Sequence, residues 1–190
     1  MRKRVVVGVS GASGGIYAIR LLKLLKQIAS IETHLIMTDS AQRSMSLEMS
    51  DVKYALADMA DIIYDINDIA AAIASGSYET AGMIVVPCSI KTLSGIAHSY
   101  SDNLLIRAAD VTLKERRPLV LSVRETPLHL GHLRLMTTAC EQGAIIMPPL
   151  NAFYHQPKTI DDLIDNSVRR MLQQLKLDIE IPNYQSWSGG

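Results

Sequence analysis

Apolar runs of a strand's length alternate with amphipathic stretches along the whole chain. Residues 4–10, centred on Val5-Val6-Val7, are a continuous β-branched run of the kind buried on both faces of a parallel sheet. Residues 11–15 (Gly-Ala-Ser-Gly-Gly) interrupt it. Leu21, Leu24, Leu25 and Ile28 then recur at i, i+3, i+4 and i+7, with Lys23 and Lys26 turned away, and predict an amphipathic helix. Thr33 to Thr38 reads as a second strand and Ser40 to Glu48 as a helix. From Ser50 to Glu79 the pattern weakens: Ile62-Ile63-Tyr64 predicts a small strand, Ile69 to Ala74 a helix, and Ser75-Gly76-Ser77 a loop. Gly82 to Val86 is a buried strand that Pro87 is expected to stop, with helices from about Ile90 and from Asn103 to Arg116. Pro118 to Val123 predicts a strand, Leu130 to Glu141 a helix, and Ala144 to Met147 a last short strand closed by Pro148-Pro149. Thr159 opens a terminal helix with Asp161 and Asp162 in its first turn, where carboxylates suit the helix dipole. Its apolar face runs from Ile160 through Ile164, Val168 and Met171 to Leu175.

Strand and helix alternate without an internal repeat, linker or low-complexity segment. The expected fold is therefore a doubly wound α/β domain spanning residues 1–190, a mostly parallel sheet with helices on both faces in the Rossmann or flavodoxin manner. Right-handed crossovers put every strand-to-helix turn at one edge of such a sheet, and ligands bind at that edge. The turns of interest are residues 11–15, 38–40, 87–92 and 124–127.

With 190 residues, 48% of them apolar, and a formal net charge of zero, the composition is that of a globular protein and lacks the basic excess of a nucleic-acid binder. No apolar run approaches the ~18–20 residues that span a bilayer. The basic Met1-Arg2-Lys3-Arg4 start leads only into a strand-length apolar run and a glycine turn, so it reads as the first strand and not as an export signal. Two cysteines without paired spacing, Cys88 and Cys140, point to a reducing compartment and a cytoplasmic location.

The first turn places small residues where a strand hands over to a helix, so backbone N–H groups can approach an anion at a helix N-terminus. Gly8, Gly11 and Gly14 are spaced uniformly by three, which is not the dinucleotide pattern G-x-G-x-x-G, and no Gly-Lys-Ser/Thr follows. The expected ligand there is a mononucleotide phosphate; a turn needed only for packing is the alternative. Residues 87–92 (Pro-Cys-Ser-Ile-Lys-Thr) form a second donor-rich turn, in which Cys88 reads as a small buried thiol. Arg107 and Lys114, seven apart, share a helical face that can offer two cations to a phosphate, or can be a solvated helix end. Arg124-Glu125 at the carboxyl end of a strand suits ligand contact, with Glu125 a possible proton donor; a mutual salt bridge is the other reading. His129 and His132 lack a third metal ligand, and no G-x-S-x-G elbow supports a serine hydrolase.

Several of these blocks together resemble the UbiX flavin prenyltransferases: residues 11–14 (GASG), 87–94 (PCSIKTLS), 107–110 (RAAD), 113–120 (LKERRPLV) and 153–157 (FYHQP). The likeness runs from the first strand to about Arg170 and is weakest over Ser50–Ser77. It implies a flavodoxin-like, FMN-binding fold within a wider group that includes flavin-dependent cysteine decarboxylases. It also implies transfer of the dimethylallyl group of dimethylallyl phosphate to N5 and C6 of reduced FMN, without a metal. Prenylated FMN would then serve a UbiD-type decarboxylase, often in ubiquinone synthesis. The resemblance further implies a homododecamer with sites at subunit contacts. Carried over residue by residue, Gly11, Ala12, Ser13, Thr38, Ser89, Ile90, Lys91, Thr92 and Arg124 bind FMN, Thr38 standing where the family often has Ser. Tyr154 and Arg170 hold the dimethylallyl phosphate with Arg107 and Lys114 near it, and Ser13, Glu48, Lys114 and Glu125 are tied to catalysis. A flavin-dependent decarboxylase of a cysteine-like substrate and a non-catalytic FMN carrier are the alternative functions.

Overall fold

A computed structural model describes residues 2–49 and 58–183. Six strands, β1 (Lys3–Val9), β2 (Ile31–Met37), β3 (Ile62–Tyr64), β4 (Gly82–Cys88), β5 (Leu119–Val123) and β6 (Ile145–Ile146), form one sheet in the order β3-β2-β1-β4-β5-β6. Every pairing among the described strands is parallel. The helices are α1 (Gly15–Lys26), α2 (Asp39–Glu48), α3 (Ile90–Ala97), α4 (Leu104–Lys114), α5 (Leu130–Glu141) and α6 (Ile160–Gln173). The fold is the expected doubly wound α/β, and its strand order reverses between β1 and β4, where such sheets open a crevice at their carboxyl edge.

The continuous apolar run of β1 is used on both faces. Val5, Val7 and Val9 pack with Leu21, Leu22 and Leu25 of α1 and Val168 and Met171 of α6. Val6 faces the other way, into a core with Met83, Val85 and Leu121 of the neighbouring strands, Leu93 and Ile96 of α3, and Leu105 and Ala109 of α4. The period of two along the strand thus divides one run between two helical layers. Arg20 of α1 holds Asp165 of α6 through two nitrogens, at 2.6 and 2.7 Å, a bidentate pair that orients α6 along α1.

The helix starts follow local chemistry. Thr38, Ser89 and Asn103 cap α2, α3 and α4, their side-chain oxygens accepting the N–H of Ala41, Thr92 and Ile106. Thr159 and Asp162 form a reciprocal capping box at α6. Helix α4 stops at Lys114, short of the expected Arg116, which adopts φ +55°.

Two expectations are corrected. No α-helix forms over residues 69–74, which hold only a 3₁₀ turn at Ala72–Ala74. The carboxylates of Asp65 and Asp68 take the N–H groups of Asn67 and Ala70, local bonds that compete with helix formation. Nor does Pro87 end β4: the strand continues to Cys88, because the Pro87 carbonyl is still bonded to Ser10 of the first strand run although proline lacks an N–H. Residues 50–57, part of the weakly patterned stretch, lie outside the described residues.

His34 on β2 is buried, with Nε2 2.9 Å from Glu32 Oε1 and Nδ1 2.9 Å from the Tyr64 hydroxyl. An ionised carboxylate only accepts, so Nε2 carries the proton and Nδ1 accepts from the Tyr64 O–H. Burial holds the His34 pKa below its ordinary value, outweighing the pull of Glu32, and burial pushes the Tyr64 phenol up to about 12. The unfolded chain gains a proton at this position as pH falls through about 6.5, and the native chain does not until lower pH. Stability from this site is therefore complete above that pH and is lost on acidification, by at most about 1.4 kcal/mol per pH unit. Thermal melts from neutral to mildly acid pH should show a shallower acid decline for His34→Gln than for the native chain; parallel declines would exclude His34 as the source.

Candidate active site

Three strand-to-helix turns meet at the carboxyl edge beside the switch point. Ser10, 1% exposed, links two of them: its backbone N–H and its hydroxyl both donate to the Pro87 carbonyl at 3.1 Å, and its oxygen accepts the Ser89 N–H at 2.7 Å. The first turn is pressed against α2. A Cβ on Gly11 would lie 2.4 Å from Ser40 Oγ and 3.1 Å from the Ser40 carbonyl carbon, so glycine is required by space. Gly14 supplies φ +102° at the entry to α1.

The N–H groups at the head of α1 face the chain's own Glu48. Both carboxylate oxygens lie 3.1 Å from the Gly14 nitrogen, and one lies 3.2 Å from the Gly15 nitrogen. The cradle that the sequence pattern offers to a phosphate is here turned to the Glu48 carboxylate, an anion that complements the dipole of α1 at its N-terminus. Glu48 thereby ties α2 to the first turn.

The heads of α2, α3 and α4 instead open together onto a cleft of about 750 Å³. Gly11, Thr38, Asp39, Ser40 and Arg43 line one side of it, Ser89, Ile90, Lys91 and Thr92 another, and Asn103, Ile106 and Glu125 also reach it. Its volume suits a cofactor-sized molecule. The Thr38 and Ser40 hydroxyls are 3.0 Å apart, and Ser89 Oγ donates to Thr92 Oγ1 at 3.2 Å, so hydroxyls, helix starts and two cations, Lys91 and Arg43, line the same cleft, together with the carboxylates of Asp39, Asp102 and Glu125. That set is chemically matched to a phosphate monoester. Arg43 was not singled out by the sequence; the available signal was its i+4 spacing from Asp39 on a helix whose first turn lies at the rim.

Glu125 accepts the Thr126 N–H at 3.0 Å and forms no ion pair with Arg124 among the described residues, so the salt-bridge alternative does not hold. The Arg124 backbone N–H is anchored on the Cys88 carbonyl at 3.0 Å. Its charge acts on Tyr17, whose phenol is nevertheless pushed up by burial. Cys88 is fully buried and burial pushes its thiol up to about 12, so it is the inert thiol expected. The His129 and His132 rings are 3.6 Å apart, and no metal-type cluster of three His, Cys, Asp or Glu occurs among the described residues.

The other expected site residues do not line this cleft within one chain. Arg107 donates to the Ala74 carbonyl at 3.1 Å and pairs with Asp110 at 3.0 Å. Helix α4 leads from the cleft to the opposite edge, so Lys114, paired with Glu115, stands just before the start of β5. Helix α6 also ends at that edge: Leu175 lies against Gly82, the first residue of β4. Arg170 donates to the Gln173 side chain and borders a separate groove with Leu177, Ile179 and Ile181. Tyr154, more than half exposed, sits with its ring 4.0 Å from that of His155. Ser13 is exposed in the first turn. No helix of the described residues is long and apolar enough to cross a membrane.

The Flavoprotein family model matches residues 1–172. The flavin prenyltransferase UbiX of Salmonella typhimurium is 57% identical over 187 residues, covering 98% of this chain and 99% of that protein. The structure of AnUbiX (PadA1) in complex with FMN and dimethylallyl pyrophosphate matches with a TM-score of 0.94 and 44% identity over 100% of both chains. A dodecameric FMN-dependent Ubix-like decarboxylase from Escherichia coli O157:H7 matches at 0.92 and 43% identity, over 98% of this chain and 100% of that one. Peptidyl-cysteine decarboxylase EpiD, 15% identical with a TM-score of 0.60, shares the fold alone. With the cleft at the switch point and likeness over nearly its whole length, the chain belongs to the flavoprotein family, among the UbiX-type flavin prenyltransferases.

Proposed function

We infer that this chain joins the dimethylallyl group of a dimethylallyl phosphate to N5 and C6 of reduced FMN. The observation that carries this reading is the cleft itself: Gly11, Thr38, Ser89 to Thr92 and Glu125 surround one cofactor-sized space on a fold matching that of a protein solved with FMN and dimethylallyl pyrophosphate. The heads of α2 and α3, with the Thr38, Ser89 and Thr92 hydroxyls and Lys91, hold the phosphate end of FMN. Gly11 of the cleft, with its chain neighbours Ala12 and Ser13, and Arg124, the neighbour of Glu125, would border its ring, the last three beyond the residues that line the cleft in one chain. Reduced FMN, when bound, supplies the electron-rich N5 and C6 that the allylic carbon is joined to. Glu125, which lines the cleft, would be the general acid, and Ser13 would orient or relay a proton at the N5 side. Glu48 acts through the first turn, whose Gly14 and Gly15 N–H groups it holds.

Departure of phosphate from the allylic carbon requires cations, and in this reading neighbouring chains bring Lys114, Arg107, Arg170 and Tyr154 to each cleft. Two features support this. Lys114 and Arg170 stand toward the sheet edge away from their own cleft, and Leu130, Leu150, Phe153 and Ile160 are 59–82% exposed, an apolar surface that assembly would cover. A homododecamer, like that of the E. coli relative, provides the contacts. The product goes to a UbiD-type decarboxylase in the cytoplasm.

The test is anaerobic incubation with reduced FMN and either dimethylallyl phosphate or its pyrophosphate, followed by the mass of the flavin. Gain of one five-carbon unit is expected. Unchanged flavin with carbon dioxide released from a cysteine-like substrate would favour a decarboxylase, and flavin that is bound but never altered would favour a carrier.

A further inference from the structure

We propose that Ser10 is a positioning residue that sets the grip of the α3 head on the phosphate end of FMN; this rests on the reading of the cleft as the FMN site. The backbone ladder between β1 and β4 pairs residues as far as Gly8 and Val85. Two residues later Pro87 has no N–H to give, and on the other side of β4 its pairing with β5 shifts register between Val85 and Cys88. Beyond that ladder the Ser10 backbone N–H still donates to the Pro87 carbonyl, and the Ser10 side chain adds the contact to Ser89. Its hydroxyl donates to the Pro87 carbonyl at 3.1 Å and accepts the Ser89 N–H at 2.7 Å, at a position 1% exposed.

Ser89 is the N-cap of α3, and its own hydroxyl is tied to both the N–H and the hydroxyl of Thr92. One buried hydroxyl on the first strand run therefore fixes where the Ser89–Thr92 donors stand relative to Gly11, the next residue along the chain. Alanine at position 10 removes the acceptor of the Ser89 N–H, and an unpaired buried donor must move to find another. The shift falls on the α3 head, which holds the phosphate, and spares the first-turn contacts with the flavin ring. Threonine retains the hydroxyl. Cysteine retains most of the volume but is a poor donor and acceptor.

The experiment measures the affinity of the assembled protein for FMN and for riboflavin, which lacks the phosphate, by flavin fluorescence, with a thermal melt of each variant. The native protein should prefer FMN. Ser10→Ala should lose about tenfold in FMN affinity with little change for riboflavin, so that its preference for the phosphorylated ligand shrinks. Ser10→Thr should keep the preference. A merely structural role would weaken both ligands alike and leave their ratio unmoved, and that result would overturn the assignment. Should Ser10→Ala not fold, Ser10→Cys carries the same test: a reduced ratio supports the role and an unchanged ratio overturns it. A native protein with no preference for FMN over riboflavin would overturn the FMN reading of the cleft, and the role of Ser10 with it. A native preference that survives in Ser10→Ala would remove Ser10 alone.

Discussion

Lys114→Ala and Arg170→Ala should each lower dimethylallyl transfer by about 10²–10³-fold, the usual consequence of removing one preorganised partner of a developing negative charge. FMN should bind both variants nearly as well as the native protein, because neither residue lines the cleft of its own chain and both are assigned to the allylic phosphate. A matching loss of FMN affinity would assign these cations to the flavin. The geometry adds a stronger test. Lys114 lies at the end of α4 remote from the cleft that Asn103 and Ile106 border, about 15 Å of helix away. If neighbouring chains complete each site, co-assembly of a Lys114→Ala chain with a Glu125→Gln chain restores activity that neither has alone. With random mixing about one site in four pairs an intact Lys114 with an intact Glu125. No recovery in verified mixed oligomers would show that both residues act within one chain, which this fold does not allow without rearrangement.

The second large effect is expected at Glu125. Glu125→Gln keeps the shape of the side chain and its ability to accept the Thr126 N–H, so the turn after β5 should persist. What it removes is a transferable proton, and general acid–base catalysis contributes typically 10²–10⁴-fold. Turnover should fall by about that factor with FMN affinity close to native. That Glu125 forms no ion pair with Arg124 among the described residues matters here, since a carboxylate locked to an arginine would be a poor acid. Unchanged turnover in Glu125→Gln would leave Arg124 as the more important member of the motif, and the acid would have to be sought elsewhere on the rim.

Much of the architecture is legible in the sequence. The Val5-Val6-Val7 run marked a strand covered on both sides, and helix α5 was bounded correctly at Leu130 and Glu141. Both follow from short-range pattern: the period of two or 3.6 records which side chains face a core. The misreadings also have local causes. The stretch around Ile69 carried apolar residues at helical spacing, but Asp65 and Asp68 turned their carboxylates onto the backbone and left only a 3₁₀ turn. Pro87 suggested an end to β4, and only the neighbouring Ser10 shows why the strand persists.

The site was legible in pieces. The glycine turn, the 87–92 turn and Glu125 were each found as motifs at strand ends, and order of elements alone placed them on a common rim, because crossover handedness is set by chirality. Which of them face one another depends on strand order, which is a long-range property. Only the tertiary structure put β1 beside β4, brought Thr38, Ser89 and Thr92 to one cleft with Arg43, and gave the N–H groups of Gly14 and Gly15 to Glu48. It also separated Lys114 and Arg170 from that cleft, since a helix antiparallel to its strands carries its last residues to the far edge of the sheet, and it left Tyr154, in the segment between β6 and α6, outside the residues that line the cleft. Hydrophobic periodicity encodes which face of an element is buried; it carries no record of which distant element covers that face.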